Sequence, residues 1–405
     1  MPSFEYLIIG GGIAGVSAAE TIRQKDKLGS LGLISGEPHF LYSRVLLPEF
    51  IRGEVELEKV MLRSADDYKK NGIEIFLGES VENFDPARMI LTTDKGRKLT
   101  AKKILISSGG RPKPWNFETL SPENIFRLQT LDDALKIKKF LSGRSAGNAL
   151  VVGGGFMALE FIEILFKYGW SVKLLVAEKY FWPDYLDDAG FGILSGLWAK
   201  NGVETITGDE VAEIKKDGHS VSVKTKKGKN LNADFIGVGI GLDRNLKFSP
   251  HLAVKPPSGG VEVNEYLETK FPSVWAAGDV AIYPDFFSGR RRSGGNWSGA
   301  FMQGRTAGLN MVSEKTIFKT ISAYSISHLG QAVALVGDAG PFSDDANIKT
   351  SVPVFDKEKR EYVKIFKKDG QIAGAVMING QEFLGATNQA IMNKWDASNV
   401  FKKNT

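Results

Sequence analysis

The sequence predicts an α/β protein: two dinucleotide-binding βαβ domains followed by a smaller C-terminal α+β module. Three observations carry this. The apolar run Tyr6-Leu7-Ile8-Ile9 leads directly into Gly10-Gly11-Gly12-Ile13-Ala14-Gly15. The same arrangement returns as Ala149-Leu150-Val151-Val152 followed by Gly153-Gly154-Gly155-Phe156-Met157-Ala158. The last stretch, from about residue 315, alternates short strands with one helix and holds no motif that bears chemistry.

Each glycine run reads as strand, tight turn and helix start. That geometry lays a pyrophosphate on exposed backbone N–H groups at the positive end of a helix. One such run is weak evidence. Two Rossmann-like units, separated by more than the length of one nucleotide-binding domain, imply two dinucleotides on one chain, most simply a flavin and a nicotinamide.

Composition narrows the chemistry. The chain has 405 residues, 42% hydrophobic and 24% charged, enough for two or three domains with their own cores. It has no cysteine, which excludes a disulfide, an iron–sulfur cluster and a redox dithiol. Its four histidines, His39, His219, His251 and His328, are far apart in sequence, so no metal site is predicted. Redox chemistry must therefore reside in a bound cofactor. The 52 basic residues barely exceed the 47 acidic ones and are dispersed, which argues against nucleic-acid binding. The run Arg290-Arg291-Arg292 is the exception. It reads either as a solvated loop tip or as a patch that docks an acidic partner. No apolar stretch reaches the roughly 18 residues of a membrane span, and the first strand begins within about five residues of Met1, leaving no room for a leader. A cytoplasmic location is expected.

The elements follow in order. Strand 6–9 enters a helix with Val16, Ala18, Ala19 and Ile22, whose small residues permit close packing on a sheet. A second strand follows at residues 31–34. Glu37 then stands roughly 20 residues beyond the glycines, where a Rossmann unit holds ribose hydroxyls with an acid. Pro48 reads as a break. Segments near 73–77, 80–84 and 88–93 read as a small β insertion, and residues 103–106 as a buried strand ending at Ser107-Ser108-Gly109-Gly110. The second unit has a helix containing Leu131-Asp132-Asp133-Ala134, strand 149–152, helix 156–168 and strand 172–176. A hairpin-like stretch at 221–225 and strand 235–239 close it. Strand 274–277 returns to the first domain and carries Gly278-Asp279 at its C-terminal end, where open α/β sheets bind ligands. Helix 297–311 is rich in small residues. Strands near 352–355, 361–367 and 372–378 and a helix near 381–393 form the last module. The predicted domains are residues 1–112 with 242–314, residues 113–241, and residues 315–405.

Over almost its whole length the chain resembles the two-dinucleotide flavoproteins, the pyridine-nucleotide-dependent FAD oxidoreductases. It is most similar to the branch with NADH:rubredoxin reductases, ferredoxin reductases and the flavin portion of nitrite reductases. The resemblance rests on residues 10–15, Glu37-Pro38, Tyr42-Ser43-Arg44-Val45-Leu46-Leu47, residues 153–160, Gly239-Ile240-Gly241, residues 274–280, and Asn296-Trp297-Ser298-Gly299-Ala300 with Gln303-Gly304.

The resemblance implies an FAD site at Gly10, Gly12, Ile13, Ala14, Gly15, Glu37, Arg44, Val81, Ser108, Gly109, Gly278, Asp279 and Trp297. The helix beginning near Trp297 would then direct its positive end at the flavin. It also implies an NAD(P) site at Gly153, Gly155, Phe156, Met157, Ala158, Glu160, Val176, Glu178, Lys179, Gly239 and Gly241, with Glu160 near the nicotinamide. No residue is assigned as a catalytic acid, base or nucleophile. The C-terminal module corresponds to the family's interface domain.

Departures shape the activity. Without cysteine, the disulfide-reductase and peroxidase branches are set aside. Glu49 stands where ferredoxin-reductase relatives often carry a lysine. Val176 replaces the acid of NAD-preferring members, but Ala177 replaces the arginine of NADPH-preferring ones, so both coenzymes stay open. The main reading is electron transfer from NAD(P)H through FAD to a small acidic carrier such as rubredoxin or ferredoxin, with Arg290, Arg291 and Arg292 as its docking patch. Direct reduction of a quinone or oxygen, or service as the flavin subunit of a larger dehydrogenase, is the second reading. A third is an FAD-binding interaction protein whose nicotinamide site is vestigial or regulatory.

Overall fold

A computed structural model describes residues 1–254, 259–340, 347–396 and 400–401. The chain divides into two compact units. One comprises Met1–Leu46, Glu56–Arg111 and Leu242–Thr320; the other comprises Leu47–Val55, Pro112–Gly241 and Ile321–Thr405. Both are mixed α/β, and each contains a parallel sheet in which one strand runs into a glycine turn.

The first unit is organised by a seven-stranded sheet. Ile73–Leu77, Leu31–Ser35, Ser3–Ile9 and Lys98–Ile106 lie side by side in parallel. Leu7, Ile8, Leu33, Ile104 and Leu105 are all fully buried, the near-continuous apolar pattern of a parallel sheet covered on both faces. Strand Lys98–Ile106 serves two neighbours: residues 98–100 pair antiparallel with Ile90–Thr93, and residues 104–106 pair parallel with Val274–Ala276. The returning chain therefore joins the first sheet. The strand near residues 73–77 is not part of a separate β insertion. It is the edge of the parallel sheet, and only Val81–Asp85 and Ile90–Thr93 form an antiparallel extension.

The second unit has a five-stranded sheet in the order Glu204–Thr207, Ser171–Val176, Asn148–Val152, Phe235–Val238 and Ile125–Phe126, every pairing parallel. Phe126 and Phe235 stack face to face at 4.4 Å, with Phe140, Phe161 and Trp170 at their edges. A three-stranded antiparallel sheet spans Val211–Asp217, Ser220–Thr225 and Asn230–Ala233. The C-terminal part is a five-stranded antiparallel sheet with helix Glu382–Asn393.

One local reading is corrected and two elements are added. Pro48 does not break structure; it occupies the first turn of helix Leu47–Ile51, where its missing N–H has no cost. Helix Asp188–Lys200, which sequence pattern did not reveal, contains Gly190, Gly192 and Gly196, poor helix formers. Asp187 caps it by accepting the N–H groups of Ala189 and Gly190, and Gly190 leaves room for Tyr362, whose ring would lie 2.9 Å from an added Cβ. Hairpin Ala323–His328/Gln331–Gly337, also unforeseen, turns on Leu329 and Gly330, both with positive φ. Among the described residues, no helix is long and apolar enough to cross a membrane.

Candidate functional site

The first cradle lies at the C-terminal edge of the seven-stranded sheet. The Gly10 N–H donates to the Ile34 carbonyl at 2.8 Å, and the Gly10 φ of +117° admits no side chain. A Cβ there would meet the Ser107 carbonyl oxygen at 2.2 Å, so the turn is wedged between two strands. Gly12 is the opposite case. It caps helix Ile13–Lys25, nothing lies within 4 Å of its Cβ position, no side chain caps the helix, and its first turn carries no acid. Ile13, Ala14 and Gly15 thus begin a helix whose leading N–H groups face open space, the requirement for an anion.

A cleft beside this turn brings together Gly12, Glu37, Arg44 and Trp297 of the predicted set, and adds His39 and Phe40. Glu37 accepts a hydrogen bond from Arg44 at 2.5 Å through one carboxylate oxygen and from the Tyr42 hydroxyl at 2.5 Å through the other. Asp279 is half-buried just beyond the C-terminal end of strand Val274–Ala276. Burial pushes its carboxyl above the ordinary range, against the opposing charges of Arg244 and Arg44. The adjoining Gly278 N–H donates to Gln303 at 2.8 Å. Ser108 donates to the Asn245 carbonyl at 2.7 Å, and Gly109 has a φ of +64°. Val81 is half-buried at the start of its strand, packed on the core and outside the lining of this cleft.

The unit also holds buried donors with no partner among the described residues: Nε of Arg111, Nε of Arg244, Nε2 of Gln303 and Nε1 of Trp275. Buried donors left unpaired are destabilising. A ligand rich in phosphate and carbonyl oxygens would satisfy them, which fits FAD. Sequence reasoning did not select Arg111 or Arg244, because no local pattern shows that Arg244 approaches Asp279 or that the Arg111 and Arg244 guanidinium Nε atoms are buried.

The second cradle repeats the first. The Gly153 N–H donates to the Leu175 carbonyl at 3.0 Å, Gly153 has a φ of +124°, and its Cβ would meet the Gly239 carbonyl oxygen at 2.2 Å. Gly155 caps helix Phe156–Lys167 with open space around it and no side-chain cap. Phe156, Met157 and Ala158 form the first turn, and Gly239 allows Met157 to approach. Gly241, with a φ of +97°, accepts a hydrogen bond from Lys113 N at 3.0 Å. A cleft of about 320 Å³ opens in front, bounded by Gly155, Phe156, Glu178, Trp182, Asp184 and Tyr185. The Phe156 ring sits between Trp182 at 4.3 Å and Tyr324 at 4.2 Å, both edge-on. Val176 is completely buried and belongs to the core. Lys179 does not bound the cleft; its ammonium is 5.8 Å from the Tyr180 ring.

Glu160 lies one turn into the helix. Burial pushes its carboxyl up to about 7, with Glu49 and Glu163 acting in the same direction and Arg52 against it. The Arg52 guanidinium is 3.9 Å from Glu160 and 2.8 Å from Glu54. Glu49 Oε2 is buried without a hydrogen-bond partner among the described residues. Arg52 and Tyr324 give no motif in the sequence, whereas Glu49 is visible there as a departure.

Arg291 and Arg292 do not sit on a loop tip, whereas Arg290 lies in the loop that precedes their strand. Arg291–Ser293 is a strand paired with Ala281–Pro284. Arg292 bonds Asp285 at 3.1 Å with both side chains largely buried, and Arg291 donates to the Val263 carbonyl at 3.2 Å.

Residues 4–304 match the family described as pyridine nucleotide-disulphide oxidoreductase. The chain belongs to that family. The cofactors that accompany the family are FAD and a reduced pyridine nucleotide. Apoptosis-inducing factor 3 of Mus musculus is 27% identical over 380 residues, covering 93% of this chain. The chain spans only 61% of that relative's length. NADH-rubredoxin oxidoreductase of Clostridium acetobutylicum is 27% identical over 379 residues, 93% of this chain and 92% of the relative. Among solved structures, the covalent putidaredoxin reductase–putidaredoxin complex superposes with a TM-score of 0.88 at 21% identity, covering 97% of this chain and 93% of the other. That likeness supports the two-dinucleotide flavoprotein fold.

Proposed function

We propose that the chain is an FAD-dependent oxidoreductase that takes reducing equivalents from NAD(P)H and delivers them to a small redox carrier protein. One observation carries the reading: the same uncapped helix start, opened by a glycine with free space before it, occurs once in each unit. Bound FAD supplies the hydride-accepting and electron-releasing chemistry, since no side chain of the chain is a redox group.

The protein's part is alignment and charge. Gly10, Gly12 and the helix start at Ile13 hold the FAD pyrophosphate, Glu37 the adenosine ribose, and Asp279 the ribityl chain. Arg44, Arg111 and Arg244 balance the phosphate charge. Residues 1–112 and 242–314 serve FAD, and residues 113–241 serve the nicotinamide nucleotide at Gly153, Gly155 and Ala158. Glu160, whose ionisation burial opposes, would accept or donate a hydrogen bond near the nicotinamide. The partners of the relatives, rubredoxin in one and putidaredoxin in another, support a small carrier as acceptor.

The test is anaerobic. Protein reconstituted with FAD is mixed with NADH or NADPH, and bleaching of the flavin band is followed, then its return on adding a rubredoxin or a ferredoxin at low salt. Rapid bleaching and carrier-dependent recovery are expected. No bleaching by either coenzyme refutes oxidoreductase function; bleaching without recovery refutes the carrier.

A further inference from the structure

The two cradles are internal copies, and their registers can be compared residue by residue. In the first, Ile9 pairs with Ile34, and the next residue, Gly10, donates its N–H to Ile34. In the second, Val152 pairs with Leu175, and Gly153 donates to Leu175. Ile34 therefore corresponds to Leu175, Ser35 to Val176, Gly36 to Ala177 and Glu37 to Glu178. The middle glycines confirm the alignment. A Cβ on Gly11 would meet Ser35, while a Cβ on Gly154 would meet Val176 at 3.0 Å and the Glu178 carboxylate at 3.5 Å.

The acid missing from the end of strand Ser171–Val176 is thus present two residues later, at the place where Glu37 stands in the first unit. Its carboxylate overhangs the glycine turn and bounds the cleft together with Asp184. Among the described residues, no lysine or arginine bounds that cleft. Lys179 lies by the Tyr180 ring, Lys227 interacts with Asp209, and Lys364 is drawn to Asp187 and Asp184.

We propose that Glu178 selects the coenzyme: its carboxylate accepts the adenosine ribose hydroxyls of NADH and repels the 2′-phosphate of NADPH. The inference rests on the nicotinamide reading of the second cradle. A carboxylate matches a vicinal diol, which offers two donors, and opposes a dianionic phosphate at the same place. Asp184 adds repulsion, reduced by Lys364.

The test is binding rather than turnover. The FAD-loaded protein is titrated calorimetrically with the tetrahydro forms of NADH and NADPH, which cannot give up hydride. The NADH form is expected to bind at least roughly tenfold more tightly, the worth of one charge-assisted hydrogen bond. Glu178→Gln is expected to weaken it by about tenfold and to tighten the NADPH form, and Asp184→Asn to tighten only the latter. Glu178 is exposed, so the Glu178→Gln variant should keep the wild-type melting temperature. Equal or tighter binding of the NADPH form by the wild-type protein, or an unchanged ratio in Glu178→Gln, overturns the selection. If neither analogue binds, the nicotinamide reading itself fails.

Discussion

Gly304 and Ala14 touch through backbone: a Cβ added to Gly304 would lie 2.1 Å from the Ala14 carbonyl oxygen and 2.2 Å from Ser17 Oγ. Helix Trp297–Met311 therefore lies directly on helix Ile13–Lys25, the helix that starts at the first glycine turn. Gly304→Ala improves helix propensity by about 1 kcal/mol, but overpacking against backbone costs about 3 kcal/mol. The clash wins. The variant is expected to unfold earlier in denaturant and to retain FAD poorly, whereas Gly299→Ala, which would meet only the Asn296 side chain that caps the helix, should cost less.

Glu160 imposes a pH dependence on stability. Its carboxyl sits near 7 folded and 4.5 in the unfolded reference, mainly because it is buried. Between those values the folded state keeps a proton that the unfolded state releases, so stability falls as pH rises through the window, by up to about 3 kcal/mol. Glu160→Gln is expected to exceed the wild type in unfolding free energy at pH 8 and to lose that advantage below pH ~4.5. Equal denaturation midpoints at pH 8 would contradict it.

His328 acts in the opposite sense. It is wholly buried, its Nε2 accepts the Trp198 indole N–H at 2.7 Å, and burial lowers its titration to about 4 from an ordinary 6.5. Its stabilising effect is complete above 6.5 and is lost as pH falls toward 4, by up to about 3 kcal/mol. The two groups largely offset each other between pH 4.5 and 6.5. His328→Gln can still accept the indole proton but does not titrate. Its stability should therefore fall with rising pH across that interval, where the wild type stays flat.

Arg292 is structural. Asp285 accepts Arg292 on one oxygen and the backbone N–H groups of Phe287 and Ser288 on the other. Arg292→Ala should destabilise by about 3 kcal/mol, since it strands a buried carboxylate. Arg291→Ala, at an exposed site, should change the melting temperature little. Comparable losses from both would contradict this.

Legibility in the sequence follows the range of each interaction. Gly10 and Gly153 are visible because a steric demand within a few residues forces glycine there. Glu37 is visible because its offset from the turn is set by one βαβ unit. Glu178 was one candidate among several until the strand register identified its counterpart. Arg111 and Arg244 were not legible, since only pairing of Gly110–Pro112 with Leu242–Arg244, segments far apart in the chain, brings them together. The edge position of Ile73–Leu77 depends likewise on register with Leu31–Ser35. Helix Asp188–Lys200 was hidden by its three glycines, of which Gly190 serves packing against Tyr362 while Gly192 and Gly196 face open space.

The central claim is that one chain carries two independent nucleotide cradles. Gly12→Asp and Gly155→Asp test it most directly. Both positions have open space, and aspartate is a good N-cap, so folding should survive while the new charge repels a phosphate. Equilibrium dialysis should find one FAD and one tetrahydro-NADH or tetrahydro-NADPH per wild-type chain. Gly12→Asp should lose FAD alone, and Gly155→Asp the pyridine nucleotide alone. A wild-type chain that binds a single nucleotide, or two folded variants with the same binding defect, would contradict the account.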